Sequence, residues 1–139
     1  ANTAEGYEMS SSYMPTIPAS AENVAEGERL YNIYCWHCHG KKGGNDGPIF
    51  SSGKMPPPPW ANYQADYIKT LPVGKIYHTV TYGKGLMGSH AHMLNPTQRW
   101  QVIYHVKSLS LGADFQVTGS ATASTTDSSN VNIEPVTAQ

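Results

Sequence analysis

The sequence predicts an all-α fold on three observations. Apolar residues recur at helical spacing in three stretches, helix start and stop signals frame those stretches, and the alternation of a strand persists nowhere. The first stretch opens on Asn23-Val24-Ala25-Glu26, which reads as a capping box, and carries Gly27, Leu30, Tyr31 and Tyr34 at i, i+3, i+4 and i+7. It runs directly into Cys35. The second holds Val73, Ile76, Tyr77 and Val80, opened by Pro72 and closed by Gly83 and Gly85. The third has Asn95 as N-cap, Pro96 at the first helical position and Gln98 at N3. It carries Trp100, Val102, Ile103, Tyr104, Val106 and Leu109, and Gly112 stops it.

The remaining chain is loop and flank. Gly40 to Trp60 holds Gly43-Gly44, Gly47-Pro48, Gly53 and Pro56-Pro57-Pro58-Pro59, a loop stiffened as polyproline II at its end. Residues 1–22 are polar and broken by Pro15 and Pro18, with no sustained period, and are expected to form an extended arm. Residues 113–139 form a polar tail, in which Thr118 to Asn130 is nearly all small polar residues. Such a run buries too little apolar surface to offset its ordering entropy. The compact unit is therefore 23–112, small enough that a metal, cofactor or partner is expected to complete its core.

Composition excludes several classes. Across 139 residues, Lys+Arg 9 against Asp+Glu 10 leaves a net charge of −1, so there is no nucleic-acid stripe and no polybasic membrane patch. No apolar run approaches the ~20 residues of a bilayer span. Ala1 to Glu5 has no basic start and no apolar stretch follows it, so no signal peptide is read there. Two cysteines cannot make a disulfide scaffold.

The arrangement of those cysteines carries the chemistry. Cys35-Trp36-His37-Cys38-His39 is C-x-x-C-H, the attachment signature of c-type haem. Three residues apart on a last helical turn, Cys35 and Cys38 lie on nearly one face, so both sulfurs reach the two vinyl groups of one porphyrin edge. His39 then turns its imidazole under the ring to ligate iron. A thioredoxin-like pair is the rival, but it needs the cysteines at a helix N-terminus after a buried strand. A zinc site needs two more spaced ligands, and His78, His90, His92 and His105 are too dispersed.

From about Asn23 to Leu109 the chain resembles the class I cytochromes c. Gly27 and Tyr31 match the family's small-plus-aromatic pair, which lets the first and last helices cross closely, with Val102 and His105 as partners on the last helix. The resemblance implies that Gly47-Pro48 is the family's turn, with the Pro48 carbonyl accepting the Nδ1 proton of His39. It also implies that the sixth iron ligand is Met87, in Gly83-Lys84-Gly85-Leu86-Met87-Gly88. His90, His92, Met93 and Met55 are the alternatives. That string, with Leu94, Pro96, Arg99-Trp100, Tyr104 and the Pro-rich stretch before Trp60, is similar to the mono-haem cytochrome c subunit of bacterial Alternative Complex III. That group usually carries Met-Pro-x-Tyr-Ala where this chain has Met87-Gly88-Ser89-His90-Ala91.

What the resemblance implies is one covalent haem c, ligated by His39 and Met87, with a comparatively high potential and no open position for substrate. The expected role is an electron carrier rather than an enzyme. Its expected partners are other subunits of a membrane quinol-oxidising complex, with a terminal oxidase or soluble cytochrome downstream. The expected location is the periplasmic side of the bacterial inner membrane, with a leader removed before Ala1 and membrane contact through partners or a lipid anchor. A free periplasmic shuttle, a five-coordinate sensor or peroxidase, and a thiol–disulfide oxidoreductase are the rival readings. Trp60, Tyr63, Tyr82 and Lys54 are candidates to touch the ring, and Trp36, His37, Lys41 and Lys42 lie beside the thioether edge.

Overall fold

A computed structural model describes residues 1–117; the small polar run from Thr118 to Asn130 and the rest of the tail lie outside the described residues. The helices, in chain order, are α1 (Ala4–Met9), α2 (Ala21–Tyr34), α3 (Trp36–His39), α4 (Pro48–Ser51), α5 (Asp66–Thr70), α6 (Val73–Tyr82) and α7 (Pro96–Leu111). Short 3₁₀ turns stand at Ser10–Ser12, Pro59–Ala61 and Gly112–Asp114. Among the described residues there is no strand, only an isolated bridge between Lys84 and Met87, so the all-α expectation holds.

The α2–α7 crossing organises the core. A Cβ at Gly27 would lie 1.9 Å from the Gln101 carbonyl oxygen, so only glycine allows the two backbones this close. One turn on, Tyr31 is fully buried and its ring meets His105 at 5.0 Å between centroids. Leu30, Val80, Leu94, Val102 and Val106 complete the cluster. From Val102 to Lys107 helix α7 is buried on every side, with α2, α5 and α6 packed on it. The Asn95–Gln98 capping box closes both ways, at 2.9 and 3.0 Å, and Gly112 ends the helix as expected.

One buried cation is tied into this packing. Lys107 Nζ donates to the carbonyls of Ile68, Lys69 and Leu71 at 2.8, 3.1 and 2.7 Å, caught at the end of α5. Those carbonyls lie at the C-terminal end of a short helix, where intrahelical donors run out; the Ile68 carbonyl also accepts from the Leu71 N–H at 3.3 Å. Burial pulls the Lys107 pKa down from its ordinary value.

Two local expectations are corrected. Helix α2 starts at Ala21, with Ser20 as N-cap accepting from the Asn23 N–H at 3.2 Å. Asn23 instead donates to the Pro18 carbonyl and accepts from Gln101, while Glu26 pairs with Arg29. Nor is the N-terminal arm extended throughout. Thr3 caps α1, accepting from the Gly6 N–H at 3.0 Å, and the following 3₁₀ turn docks on α6 with Ser10 fully buried. A Cβ at Gly74 would lie 1.9 Å from the Ser10 carbonyl oxygen. A six-residue helix has no room to show a period, and its docking depends on a helix some sixty residues away.

Candidate haem site

The Cys–His turn is built where α2 ends. Cys35 closes that helix, its N–H bonded to the Tyr31 carbonyl at 2.9 Å, and α3 adds one more turn with the His39 N–H on the Cys35 carbonyl at 3.1 Å. The loop after it returns underneath. The Gly47 N–H donates to the Cys38 carbonyl at 3.1 Å, and a Cβ at Gly47 would lie within 2.6 Å of the carbonyl oxygens of Trp36, His37 and Cys38. The glycine of the Gly47-Pro48 pair is thus what the approach requires.

Pro48 does not play its expected part. It opens α4, and its carbonyl accepts from the Ser52 N–H at 3.1 Å. The partner of His39 Nδ1 is the Ala61 carbonyl, at 3.2 Å, and the imidazole stacks on Tyr63 at 4.8 Å and 16°. The reason is placement: the 3₁₀ turn at Pro59–Ala61 brings the Ala61 carbonyl, which accepts no backbone bond among the described residues, against His39, whereas the Pro48 carbonyl runs along α4 to the Ser52 N–H. A carbonyl only accepts, so Nδ1 carries the proton and Nε2 keeps its lone pair. Burial, the largest influence, lowers the His39 pKa and favours this neutral form against the smaller opposing effect of the Ala61 bond.

Burial likewise pushes the Cys35 thiol up to about 12, with Cys38 adding to it, and raises Cys38 as well. An exchange-active pair needs the reverse, a thiol made acidic by a helix N-terminus or a nearby cation. Cys35 closes the fourteen-residue α2 and only the single turn α3 follows it, an arrangement that counts against the thioredoxin-like rival. Among the described residues no group of three His, Cys, Asp or Glu side chains is gathered as a metal site either.

Met87 stands on a tight hairpin. Lys84 and Met87 exchange backbone hydrogen bonds at 2.9 and 3.1 Å, which requires the positive φ of Gly83 (82°) and Gly85 (59°). Arg99 of α7 braces the rest of the loop, donating to Leu94 and Ala91 carbonyls and to the Thr81 hydroxyl.

One cavity of about 300 Å³ joins these parts. Cys35, Cys38, His39 and Met87 all line it, and Phe50, Leu71, Ile76, Val80, Val102 and Val106 make its surface apolar. Two thiols, a neutral imidazole and a thioether around a greasy slot fit a covalently bound haem. Of the alternative sixth ligands, Met55 and His90 also line the cavity, whereas His92 and Met93 do not and are exposed. Trp60 and Tyr63 line it; Tyr82 does not and packs on His78 at 4.6 Å, and Lys54 is also absent from the lining. On the outer face Trp36 stacks near His37 at 4.7 Å, with Lys41 5.7 Å from its ring. Sequence reasoning missed two contributors: the Ala61 carbonyl, which has no side-chain signature, and Tyr7, which enters the cavity lining from the N-terminal segment.

Comparison with known proteins agrees with this chemistry. No curated protein matches the chain. Among solved structures, a chain of the Kuenenia stuttgartiensis reducing HAO-like protein complex is similar, at 27% identity and a TM-score of 0.57. The match covers 69% of this chain and 47% of that one, so this chain spans about half the length of that protein. Residues 22–106, more than half of the sequence, match the family described as cytochrome c oxidase, cbb3-type, subunit III. With the C-x-x-C-H turn placed in an apolar slot, that match shows that the chain belongs to this family of c-type cytochromes, whose covalent haem c serves electron transfer.

Proposed function

We propose that the protein is a mono-haem electron carrier ligated by His39 and Met87. In this reading it is a fixed subunit of a membrane quinol-oxidising complex on the periplasmic side, passing electrons to a terminal oxidase or soluble cytochrome. The observation that carries it is that Cys35, Cys38, His39 and Met87 all line one apolar cavity. When bound, the haem would supply a one-electron couple, and a thioether and an imidazole as its two protein ligands would favour the reduced state. The chain's own work is to hold and exclude. Cys35 and Cys38 fasten the ring, Ala61 and Tyr63 fix the His39 tautomer and plane, and the apolar walls keep water out.

Four features support a fixed subunit over a free shuttle. The net charge of −1 offers little long-range steering for repeated encounters. Met9 and Met14 are large apolar residues left well exposed away from the cavity. The similarity to the mono-haem subunit of Alternative Complex III adds to these, and the Kuenenia protein is itself described as a complex.

A second reading concerns the sixth ligand. His90 Nδ1 lies 2.9 Å from the Gly88 carbonyl, which leaves its Nε2 lone pair available, and its ring lines the same cavity. Absorption spectra of Met87→Ala and His90→Ala decide. Met87 ligation predicts a ferric sulfur-to-iron charge-transfer band lost only in Met87→Ala, whereas loss of wild-type coordination in His90→Ala alone would establish the histidine. Rapid CO binding by the untreated ferrous protein would instead show an open position. Extraction in mild detergent tests the assembly: co-purifying membrane subunits support it, and a lone monomer supports the shuttle.

A further inference from the structure

The hairpin that presents Met87 is held at its tip by the N-terminal segment. Lys84 pairs with Met87 through two backbone bonds, and its ammonium donates to the Tyr7 hydroxyl at 3.2 Å while lying 4.3 Å from the centre of the Tyr7 ring. Among the described residues this is the one side-chain hydrogen bond made by the Lys84–Met87 turn.

Tyr7 is itself well placed to serve as an anchor. His78 of α6 meets its ring edge-on at 5.5 Å, Lys75 of α6 lies 5.0 Å from the ring centre, and Lys75 also pairs with Glu8 at 2.7 Å. The close approach of Ser10 to Gly74 fixes the end of the same segment. Tyr7 therefore belongs mechanically to α6, while Lys84 belongs to the glycine-rich loop that follows α6. Their contact ties the loop back to the helix. Tyr7 also lines the cavity shared by Cys35, Cys38, His39 and Met87.

We infer that the first ten residues form a clamp on the axial-ligand hairpin, in which Tyr7 is a positioning residue acting on Met87 through Lys84. This inference rests on the proposed Met87 ligation. Without the clamp, Gly83, Gly85 and Gly88 give the hairpin many conformations in which the thioether is misplaced. The clamp raises the fraction of chains in which Met87 is ready to bind, and so opposes any competing ligand.

Imidazole titration of the full-length, haem-loaded ferric protein reads this directly, because imidazole must displace the thioether. Tyr7→Leu and Lys84→Met are expected to bind imidazole about three- to tenfold more tightly than wild type, the combined worth of a hydrogen bond and a cation–π contact. Tyr7→Phe, which keeps the ring, is expected to show a smaller gain, and Lys84→Arg to stay near wild type. Hydrogen exchange at residues 84–87 should rise in the first two variants and stay unchanged over Gly27 to Tyr31. Should Tyr7→Leu not fold, Lys84→Met, at an exposed position, carries the test.

Wild-type imidazole affinity in the weakened variants overturns the clamp, even where their melting temperature falls. Met87→Ala separates the two ideas. If it keeps the ferric charge-transfer band, the ligation reading fails and the role of Tyr7 with it. If it loses the band while Tyr7 and Lys84 variants bind imidazole as wild type does, the clamp alone fails.

Discussion

The two segments that bring donors to the cavity are built differently. Cys35, Cys38 and His39 come from a helix end packed into the α2–α7 crossing, where Tyr31 is fully buried and also donates to the Gly40 carbonyl at 2.7 Å. Met87 comes from a glycine-rich hairpin stabilised by one pair of backbone bonds, the Arg99 brace and the Tyr7–Lys84 contact. The first segment derives its rigidity from burial, the second from a few partly exposed polar contacts. Opening free energies in a protein follow that distinction, so with Met87 as the proposed sixth ligand, ligand exchange is expected on its side and not on the stiff side that carries the cysteines.

The largest effect should come from breaking the stiff side. Gly27→Val places a side chain onto the Gln101 carbonyl, 1.9 Å from the Cβ position, and is expected to destabilise by about 3 kcal/mol through overpacking. Denaturant unfolding should show it in the haem-bound protein. Next is Lys107→Met, which leaves three carbonyls without their shared donor. A loss of about 2–3 kcal/mol is expected, with the ordering of α5 loosened in hydrogen exchange.

Pro48→Ala sharpens the comparison by doing little. Since Ala61 rather than Pro48 accepts from His39, the variant should keep the wild-type spectrum and reduction potential. The cost should be under about 1 kcal/mol, from losing a proline pre-set at the start of a helical turn. A potential displaced well beyond that of neighbouring surface variants would return the role to Pro48.

The smallest effect is a pH dependence at the crossing. Burial, its main cause, lowers the His105 pKa against a weaker opposing pull from Glu28. Below the unfolded value of about 6.5 the unfolded chain then binds more protons than the folded one. The His105 contribution therefore favours folding at higher pH and is progressively lost as pH falls from about 6.5 toward the lower folded value. Comparing unfolding of wild type and His105→Phe across that window isolates it, and equal slopes would refute it.

Legibility in the sequence divided along the same line. Helix spacing, the Asn95–Gln98 cap and the C-x-x-C-H run are patterns within a dozen residues, and the structure shows a helix over each of the three stretches and the Asn95–Gln98 cap. The start of α2 was misread because Asn23 and Glu26 satisfied a local pattern, while Ser20 was the better-placed cap and distant Gln101 competed for Asn23. The Pro48 expectation missed for a related reason: a carbonyl's partner depends on which backbone folds over it.

The amino-acid sequence by itself determined the helical class, the pair of cysteines with their histidine, and the glycine that permits the crossing, because each depends on residue type and short-range spacing. The tertiary structure alone decided which carbonyl holds His39, which of the candidate methionines and histidines reach the cavity, and that Tyr7 joins them. Those outcomes depend on contacts between segments tens of residues apart, and such contacts follow from how the helices pack rather than from any local pattern.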